Sequence, residues 1–310
     1  MDLLLSLVYY MVTLQNNKAG EIMKLIATDL DGTLLNERGE VSQENADAIK
    51  KAIDKGMKFI VATGRSYTAA IKPLQKVGIT CPIICLNGAN IYEGEQNLLR
   101  SVPMDMALCR EILNACPDDD IYIEFFTNNE VYSVSREYFI KVMKNIVKTA
   151  NPNATDEEVH QAAQLRMQNE NITIIESNEE IFSAKDLIIY KILVFSLNKE
   201  ILSTLYKRFE HNLKLAVTSS GDINLEFNHP DAQKGIALQI YAEKLGISMD
   251  EVMALGDNLN DRDMLERAGR SVAMGNAAEE IKQLSKYTTK TNVEHGVAYA
   301  IEEMLKEEHL

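Results

Sequence analysis

The chain has 310 residues, a length that allows one large domain or two smaller ones, and we expect two. Its apolar share of 46% and charged share of 25% are those of a soluble globular protein, which excludes the disordered and fibrous classes. The net charge of −14 argues against binding to nucleic acid or to an anionic membrane, because such binding needs clustered Lys and Arg. An anionic substrate would need a local positive site.

The four cysteines suggest a reducing compartment. They lie at Cys81, Cys85, Cys109 and Cys116, without Cys-x-x-Cys spacing and without an accompanying His cluster. This pattern predicts buried free thiols and a cytoplasmic protein.

Residues 1–22 form a leader of uncertain status. The apolar run at 3–14 is shorter than the roughly 20 residues that span a bilayer. Asp2 does not fit the basic start of a signal peptide, and no small-residue cleavage site follows. We expect a non-native or mis-assigned leader, with a helix that packs on a neighbour as the alternative.

The first core strand ends abruptly in polar residues. Leu25–Thr28 is short and rich in branched or small side chains, which predicts a strand buried on both faces. Asp29 and Asp31 follow two residues apart, so an extended backbone would place both carboxylates on one face. Such a pair favours a metal ion or a shared proton, although an isolated Asp-x-Asp-Gly is more often a plain turn.

Helices and strands then alternate, which predicts parallel pairing with right-handed crossovers. The predicted elements are a helix at 42–55 with Ser42 as its N-cap, a strand at 57–62, a helix at 66–77 interrupted or shortened by Pro73, and a strand at 82–86. The same pattern returns near the C terminus, with helices at 233–245, 278–285 and 297–306 and strands at 251–255 and 271–274.

The segment from 91 to 221 has a different pattern. A hairpin is predicted from strands at 121–126 and 130–134, followed by helices at 136–149 and 156–169 and strand-like runs at 172–176, 187–197, 213–218 and 223–228. This set predicts an α+β module with antiparallel pairing. We expect it to be inserted into a parallel-sheet domain made of residues 23–90 and 222–310.

Three predicted strands of that domain end in polar sets: Asp29 with Asp31, Thr63 with Gly64, and Asp257 with Asn260 and Asp261. Ligands bind outside the carboxyl ends of the strands in an open parallel sheet, so these sets should meet in one crevice. Oxygen ligands favour Mg²⁺ over zinc, and Mg²⁺ commonly joins carboxylates to phosphate oxygens. Thr63 and Lys234, each at a helix start, would bind the phosphate, which indicates phosphoryl chemistry.

From Met23 to the C terminus, the chain resembles phosphatases of the haloacid dehalogenase superfamily, Cof-type subclass IIB. Four motifs carry the resemblance, in the family's order: Asp29-Leu30-Asp31-Gly32-Thr33, Ala62-Thr63-Gly64-Arg65, Lys234-Gly235 and Gly256-Asp257-Asn258-Leu259-Asn260-Asp261. The resemblance implies an α/β fold with a Rossmann-like parallel-sheet core and an inserted α+β cap of the C2B type.

The resemblance also implies a role for each matching position. Asp29 corresponds to the nucleophile that forms an aspartyl-phosphate, and Asp31 to the general acid and base. Mg²⁺ would be held by the Asp29 carboxylate, the Asp31 carbonyl and Asp257, with Asp261 behind them. The phosphate-binding positions are Thr63, Gly64, Lys234 and Asn260.

Simpler interpretations exist for single residues. Asp257 alone is compatible with a helix N-cap, and Asp261 with an exposed acid in a first turn. Lys234 alone is compatible with a solvated lysine, although a helix start is the wrong end for a cation. Four further residues are compatible either with cap or specificity contacts or with surface or turn roles: Glu124, Arg136, Glu226 and His229.

We therefore predict a Mg²⁺-dependent phosphomonoester hydrolase that acts on small phosphorylated metabolites. Sugar phosphates come first, and pyridoxal phosphate or a flavin nucleotide next. The alternatives are a phosphomutase or phosphotransferase with the same intermediate, and a non-catalytic protein that binds a phosphorylated metabolite. We expect no nucleic-acid or membrane partner, and a monomer or small homo-oligomer.

Overall fold

The computed structural model of the chain describes residues 22–94, 97–117, 119–219 and 221–309. Apart from Ile22, the leader at 1–22 lies outside the described residues. In those ranges, no helix combines the length and apolar character needed to cross a membrane.

The strands and helices agree with most of the predicted elements. The strands are β1 (Leu25–Thr28), β2 (Lys58–Ala62), β3 (Ile83–Cys85), β4 (Asn90–Tyr92), β5 (Leu98–Ser101), β6 (Tyr122–Thr127), β7 (Val131–Ser133), β8 (Ile172–Ile174), β9 (Ile189–Phe195), β10 (Ala216–Thr218), β11 (Asn224–Asn228), β12 (Val252–Gly256), β13 (Arg270–Ala273) and β14 (Tyr287–Thr288). The helices are α1 (Gln43–Asp54), α2 (Tyr67–Lys76), α3 (Met106–Ala115), α4 (Arg136–Ala150), α5 (Asp156–Glu170), α6 (Asn178–Ser183), α7 (Lys199–Phe209), α8 (Lys234–Lys244), α9 (Arg262–Arg267), α10 (Glu279–Leu284) and α11 (Gly296–Glu307).

Local sequence explains where α1 begins and why α2 continues through a proline. The Ser42 hydroxyl accepts a hydrogen bond from the Asn45 backbone N–H, so Ser42 caps α1 as predicted. Pro73 lies inside α2, and the helix continues to Lys76. The predicted interruption is therefore wrong: a proline removes one N–H donor, and its fixed φ is itself compatible with a helix.

The main sheet carries the predicted parallel core. Within the described ranges it has eight strands in the order β14-β13-β12-β1-β2-β3-β4-β5. The strands from β14 to β3 pair in parallel, and β4 and β5 add an antiparallel edge. All four residues of β1 are buried because it lies between β2 and β12 with both faces covered. The predicted α/β fold is confirmed.

A second sheet of the described residues has the order β10-β11-β9-β6-β7-β8. Its pairs are antiparallel except β7 with β8, which run parallel. The predicted antiparallel pairing is therefore found everywhere in this sheet except at one edge. A parallel pair needs a crossover connection, and α4 and α5 supply it between these two strands.

Sheet membership suggests limits for the inserted cap. β4 and β5 belong to the main sheet, whereas β10 and β11 belong to the second. We propose that the cap extends from about residue 102 to 228, in place of the limits at 91 and 221 indicated by the sequence pattern.

Candidate active site

Asp29 lies at the carboxyl end of the central strand β1. Its backbone N–H donates to the Leu255 carbonyl at 3.0 Å, which extends the pairing with β12 by one residue. The residue is 5% exposed, and its carboxylate accepts a hydrogen bond from Lys234 Nζ at 2.7 Å. The same ammonium donates to Asp261 Oδ1, also at 2.7 Å. Lys234 therefore joins the first strand end to the loop after β12.

Asp261 is a buried structural acid. It is 0% exposed, and its second oxygen accepts hydrogen bonds from the backbone N–H groups of Asp257 and Asn258, both at 3.0 Å. Asn258, not Asp257, caps the short turn Leu259–Asp261. The simpler interpretations of Asp257 as an N-cap and Asp261 as an exposed acid are therefore wrong. The interpretation of Lys234 as a solvated surface lysine is wrong as well, since Lys234 is 1% exposed.

Three carboxylates and one ammonium make up this centre. Asp29, Asp257 and Asp261 each offer an oxygen within 4.8 Å of the others, and Lys234 contributes the single positive charge. Three negative charges against one positive leave a net charge of −2. Burial raises the pKa of Asp29 well above its usual range, against the pull of Lys234 and with repulsion from Asp261. Burial also raises the pKa of Asp257 to about 6.

The donor chemistry of this centre fits a hard divalent cation. The donors are carboxylate oxygens, which Mg²⁺ and similar ions prefer. The pKa values of Asp29 and Asp257 are raised because burial and mutual repulsion destabilise the charged carboxylates. Two added positive charges would neutralise the centre.

Gly32 brings the loop after β1 against Asp257. Its φ is +77°, and a Cβ at this position would lie 2.4 Å from Asp257 Oδ2. A side chain is therefore excluded by both conformation and space. The next residue, Thr33, donates from its hydroxyl to Asp257 Oδ1 at 2.8 Å, which fixes that carboxylate.

The loop after β2 supplies the other side of the centre. Thr63 is buried, and its hydroxyl accepts from the Arg65 backbone N–H at 3.2 Å. The Arg65 guanidinium binds both oxygens of the Asp31 carboxylate, with Nε 2.7 Å from Oδ2. Although burial opposes it, this contact with Asp31 raises the pKa of Arg65. The Asp31 side chain is 57% exposed and lies outside the cluster of three carboxylates.

A cavity of about 310 Å³ joins these loops to the cap. Its core side is lined by Asp29, Asp31, Thr63, Gly64, Arg65, Asn258 and Asn260. Its cap side, here called the cap wall, consists of Phe126, Arg166, Glu170, Lys191, Leu193 and Glu226. The strand residues of the cap wall share one sheet face, because Phe126 pairs with Lys191 and Leu193 with Glu226 in register.

The cap contacts the core around this cavity. Lys191 Nζ donates to the Gly64 carbonyl at 3.0 Å, and Asn87 Nδ2 donates to Glu226 Oε2 at 2.9 Å. Ser66 Oγ lies 3.2 Å from Glu170 Oε2. Burial raises the pKa of Glu170, against the pull of Arg166 and Lys191.

The structure brings together five predicted residues on the cavity surface: Asp29, Asp31, Thr63, Gly64 and Asn260. Glu226 belongs to the cap wall and Glu124 supports it through Arg166, whereas Arg136 and His229 do not line the cavity. Sequence reasoning missed Arg166, Glu170 and Lys191. One signal was available: Lys191 interrupts the otherwise apolar strand Ile189–Phe195.

Comparisons with known proteins identify the family. A family model described as haloacid dehalogenase-like hydrolase matches residues 26–301. The chain belongs to this family. Together with the similarity to curated phosphatases and solved structures, this match confirms the identification as Cof-type subclass IIB with its C2B cap, and the chain is a phosphomonoester phosphatase. The family implies a divalent metal, which agrees with the chemistry of the carboxylate cluster.

Two curated relatives and one solved structure illustrate the similarity. Phosphatase YwpJ of Bacillus subtilis is 39% identical over 285 residues, covering 91% of this chain and 100% of that protein. 5-Amino-6-(5-phospho-D-ribitylamino)uracil phosphatase YwtE of the same organism is 37% identical over 284 residues, covering 91% and 98%. A solved haloacid dehalogenase-like hydrolase from B. subtilis is 38% identical with a TM-score of 0.81, covering 90% and 99%.

Proposed function

We propose that this phosphatase hydrolyses small phosphorylated metabolites through an aspartyl-phosphate on Asp29. The observation that carries the proposal is the position of the Asp29 carboxylate, held by Lys234 at 2.7 Å while it lines the cavity. An Asp29 oxygen attacks the phosphorus, and the bond from phosphorus to the leaving oxygen breaks. Water then attacks the phosphorus of the aspartyl-phosphate, which releases inorganic phosphate and restores Asp29.

Asp31 is the proposed acid and base. It lines the same cavity as Asp29 and lies two residues away, so it can reach the leaving oxygen without binding the metal through its side chain. It protonates the leaving alcohol and then accepts the proton of the attacking water. Because Arg65 binds both oxygens of Asp31, this ion pair has to open before the proton is transferred.

Mg²⁺ is the proposed metal. Asp29 and Asp257 would hold it by their side chains and Asp31 by its backbone carbonyl, while Asp261 fixes the loop that carries Asp257. When bound, the ion supplies positive charge for the phosphate oxygens and neutralises the carboxylates.

The proposed phosphate site consists of Thr63, Gly64, Asn260 and the ammonium of Lys234. Thr63 and Gly64 follow β2 and line the cavity together with Asn260. The backbone of Gly64 packs closely against the Asn87 side chain. A Cβ at Gly64 would lie 2.9 Å from Asn87 Oδ1, so a larger residue does not fit at this position.

The proposed substrates are sugar and alditol phosphates. The cavity of about 310 Å³ is small and mostly polar. The name of the relative YwtE describes a substrate with a phosphorylated ribityl chain, which is a polyol. Pyridoxal phosphate and flavin nucleotides are the next classes to test.

Release of inorganic phosphate from p-nitrophenyl phosphate tests this function. It should require Mg²⁺, stop on chelation with EDTA, and vanish in Asp29→Asn. Turnover that continues without metal, or that survives the substitution, would contradict the proposed mechanism.

A further inference from the structure

The cap wall contacts the group to which the substrate phosphate is attached. Asp29 and the proposed phosphate site lie on the core side of the cavity, so the remainder of a bound substrate extends toward the cap. The charges of the cap wall therefore act on the leaving group, while those of the core act on the phosphate.

Both cations of the cap wall already have carboxylate partners. Arg166 Nη2 lies 2.7 Å from Glu124 Oε2, and Glu124 is 0% exposed. Lys191 Nζ lies 3.7 Å from Glu226 Oε2. Across the cavity, Arg65 is bound to Asp31.

The cap side of the cavity has a net negative charge. In the cap wall, Glu170 and Glu226 balance Arg166 and Lys191. Glu124, which lies behind the wall as the partner of Arg166, adds one further negative charge. A second anionic group on a substrate would meet this surplus. Pairing it with Arg166 would take the only cation from the buried carboxylate of Glu124 among the described ion pairs, which is strongly unfavourable. Pairing it with Lys191 would weaken the ion pair between Lys191 and Glu226.

Hydrogen-bonding groups of the cap wall suit neutral polar substrates. Arg166 Nη1 is a buried donor that has no hydrogen-bond partner within the described chain, while Glu124 holds the other nitrogen of the guanidinium. The carboxylate of Glu170 lies nearby on the same helix as an acceptor. A hydroxyl both donates and accepts, so it can bind to either group.

We propose that the cap wall selects phosphomonoesters with an uncharged, hydroxyl-bearing leaving group and discriminates against leaving groups that carry a second anion. Arg166 is the donor that binds a leaving-group oxygen, and Glu170 is the main source of the discrimination. The proposal deepens the proposed function and rests on it.

Matched substrate pairs test this selectivity. Glucose 6-phosphate is compared with 6-phosphogluconate, and fructose 6-phosphate with fructose 1,6-bisphosphate. The full chain is used with Mg²⁺ at a pH of about 8, where the phosphate and carboxylate groups of these substrates are ionised. We expect kcat/KM to be lower for the charged member of each pair by on the order of tenfold, as like charges at a partly screened site require. Equal or higher kcat/KM for the charged members would overturn the proposal.

Variants assign the effect to particular residues. Glu170→Gln should reduce the ratio of kcat/KM for the neutral substrate to kcat/KM for the charged substrate in each pair, because it removes the surplus negative charge. Glu157→Gln, an exposed position on the same helix, should leave the ratio unchanged. Arg166→Gln should lower kcat/KM more for the neutral sugar phosphates than for p-nitrophenyl phosphate, which has no hydroxyl to bind. A ratio that is identical in Glu170→Gln and the wild type would overturn the role of Glu170.

The proposed function and this inference fail in different ways. If phosphate release needs Mg²⁺ and Asp29 but the paired substrates react equally, only the inference fails. If no phosphate is released at all, the proposed function fails. Calorimetric Kd values for the same pairs then still test the selectivity of the cap wall. Tighter binding of the neutral members supports this selectivity, and equal or weaker binding of the neutral members overturns it.

Discussion

Lys234 Nζ lies 2.7 Å from a carboxylate oxygen of Asp29 and 2.7 Å from one of Asp261. One buried ammonium thus balances the end of the first core strand and the loop after β12. Burial lowers the pKa of Lys234, but the two carboxylates outweigh it and raise that pKa above its usual range, which keeps the side chain charged. The carboxylate centre depends on this charge.

Lys234→Met should abolish phosphatase activity and destabilise the protein. It leaves three buried or half-buried carboxylates without a cation, and breaking a buried ion pair costs about 3–5 kcal/mol. Lys244→Met, in the exposed pair with Glu93 at the other end of the same helix, should cost no more than about 1 kcal/mol. Urea unfolding of both variants measures the difference, and equal stability would contradict this account of Lys234.

Gly32→Ala should disrupt the metal centre. The new Cβ would lie 2.4 Å from Asp257 Oδ2 at a φ of +77°. Gly39→Ala is the matched control, because its φ is +69° and nothing lies within 4 Å of its Cβ. Both variants should lose about 1 kcal/mol from backbone strain, but only Gly32→Ala should lose Mg²⁺ affinity in a calorimetric titration. Unchanged affinity in Gly32→Ala would show that the loop shifts without affecting Asp257.

Asp257→Asn should stabilise the metal-free protein and remove its response to Mg²⁺. Burial raises the pKa of Asp257 to about 6, so the charged carboxylate is destabilising at neutral pH in the absence of a cation. The amide oxygen of asparagine still accepts the hydrogen bond from Thr33. Thermal unfolding in EDTA and in Mg²⁺ should show a higher Tm for the variant only in EDTA. A lower Tm for the variant in EDTA is the result that would refute this.

The cysteines should resist alkylation in the folded protein. Cys81, Cys85 and Cys109 are buried, and Cys116 is half-buried. Burial raises the pKa of Cys81, Cys109 and Cys116 to about 12, and it raises that of Cys85 well above the usual range. At a pH of about 8, roughly one thiol in ten thousand is then the reactive thiolate. Iodoacetamide followed by mass spectrometry should label all four cysteines in guanidinium and very little in native buffer. Fast labelling of Cys81 in native buffer would contradict the burial of its thiol.

The sequence predicted the core of the site because its residues follow strand ends. Asp29, Thr63 and Asp257 each come directly after a strand of the main sheet, and parallel strands bring their carboxyl ends to one edge. The burial of Asp261 was not predictable in this way. It depends on Lys234 and on backbone donors that only the folded loop brings together.

The cap was harder to predict for reasons of length and register. β4 and β5 are three and four residues long, too short for a periodic pattern, and they were not predicted. The direction of Lys191 depends on which face of β9 meets the core, which a single strand does not specify. For α7 the signals were present but unused: Asn198 is its N-cap, and Leu202, Leu205 and Phe209 are buried at helical spacing.

The central claim is that Asp29 becomes phosphorylated during turnover. Borohydride reduction of the enzyme during steady-state hydrolysis converts an aspartyl-phosphate to homoserine, which mass spectrometry of the peptide containing residue 29 can detect. The account predicts homoserine at position 29 only when both substrate and Mg²⁺ are present, and none in Asp29→Asn. Rapid phosphate release with no modification at Asp29, or with modification at another carboxylate, would contradict it.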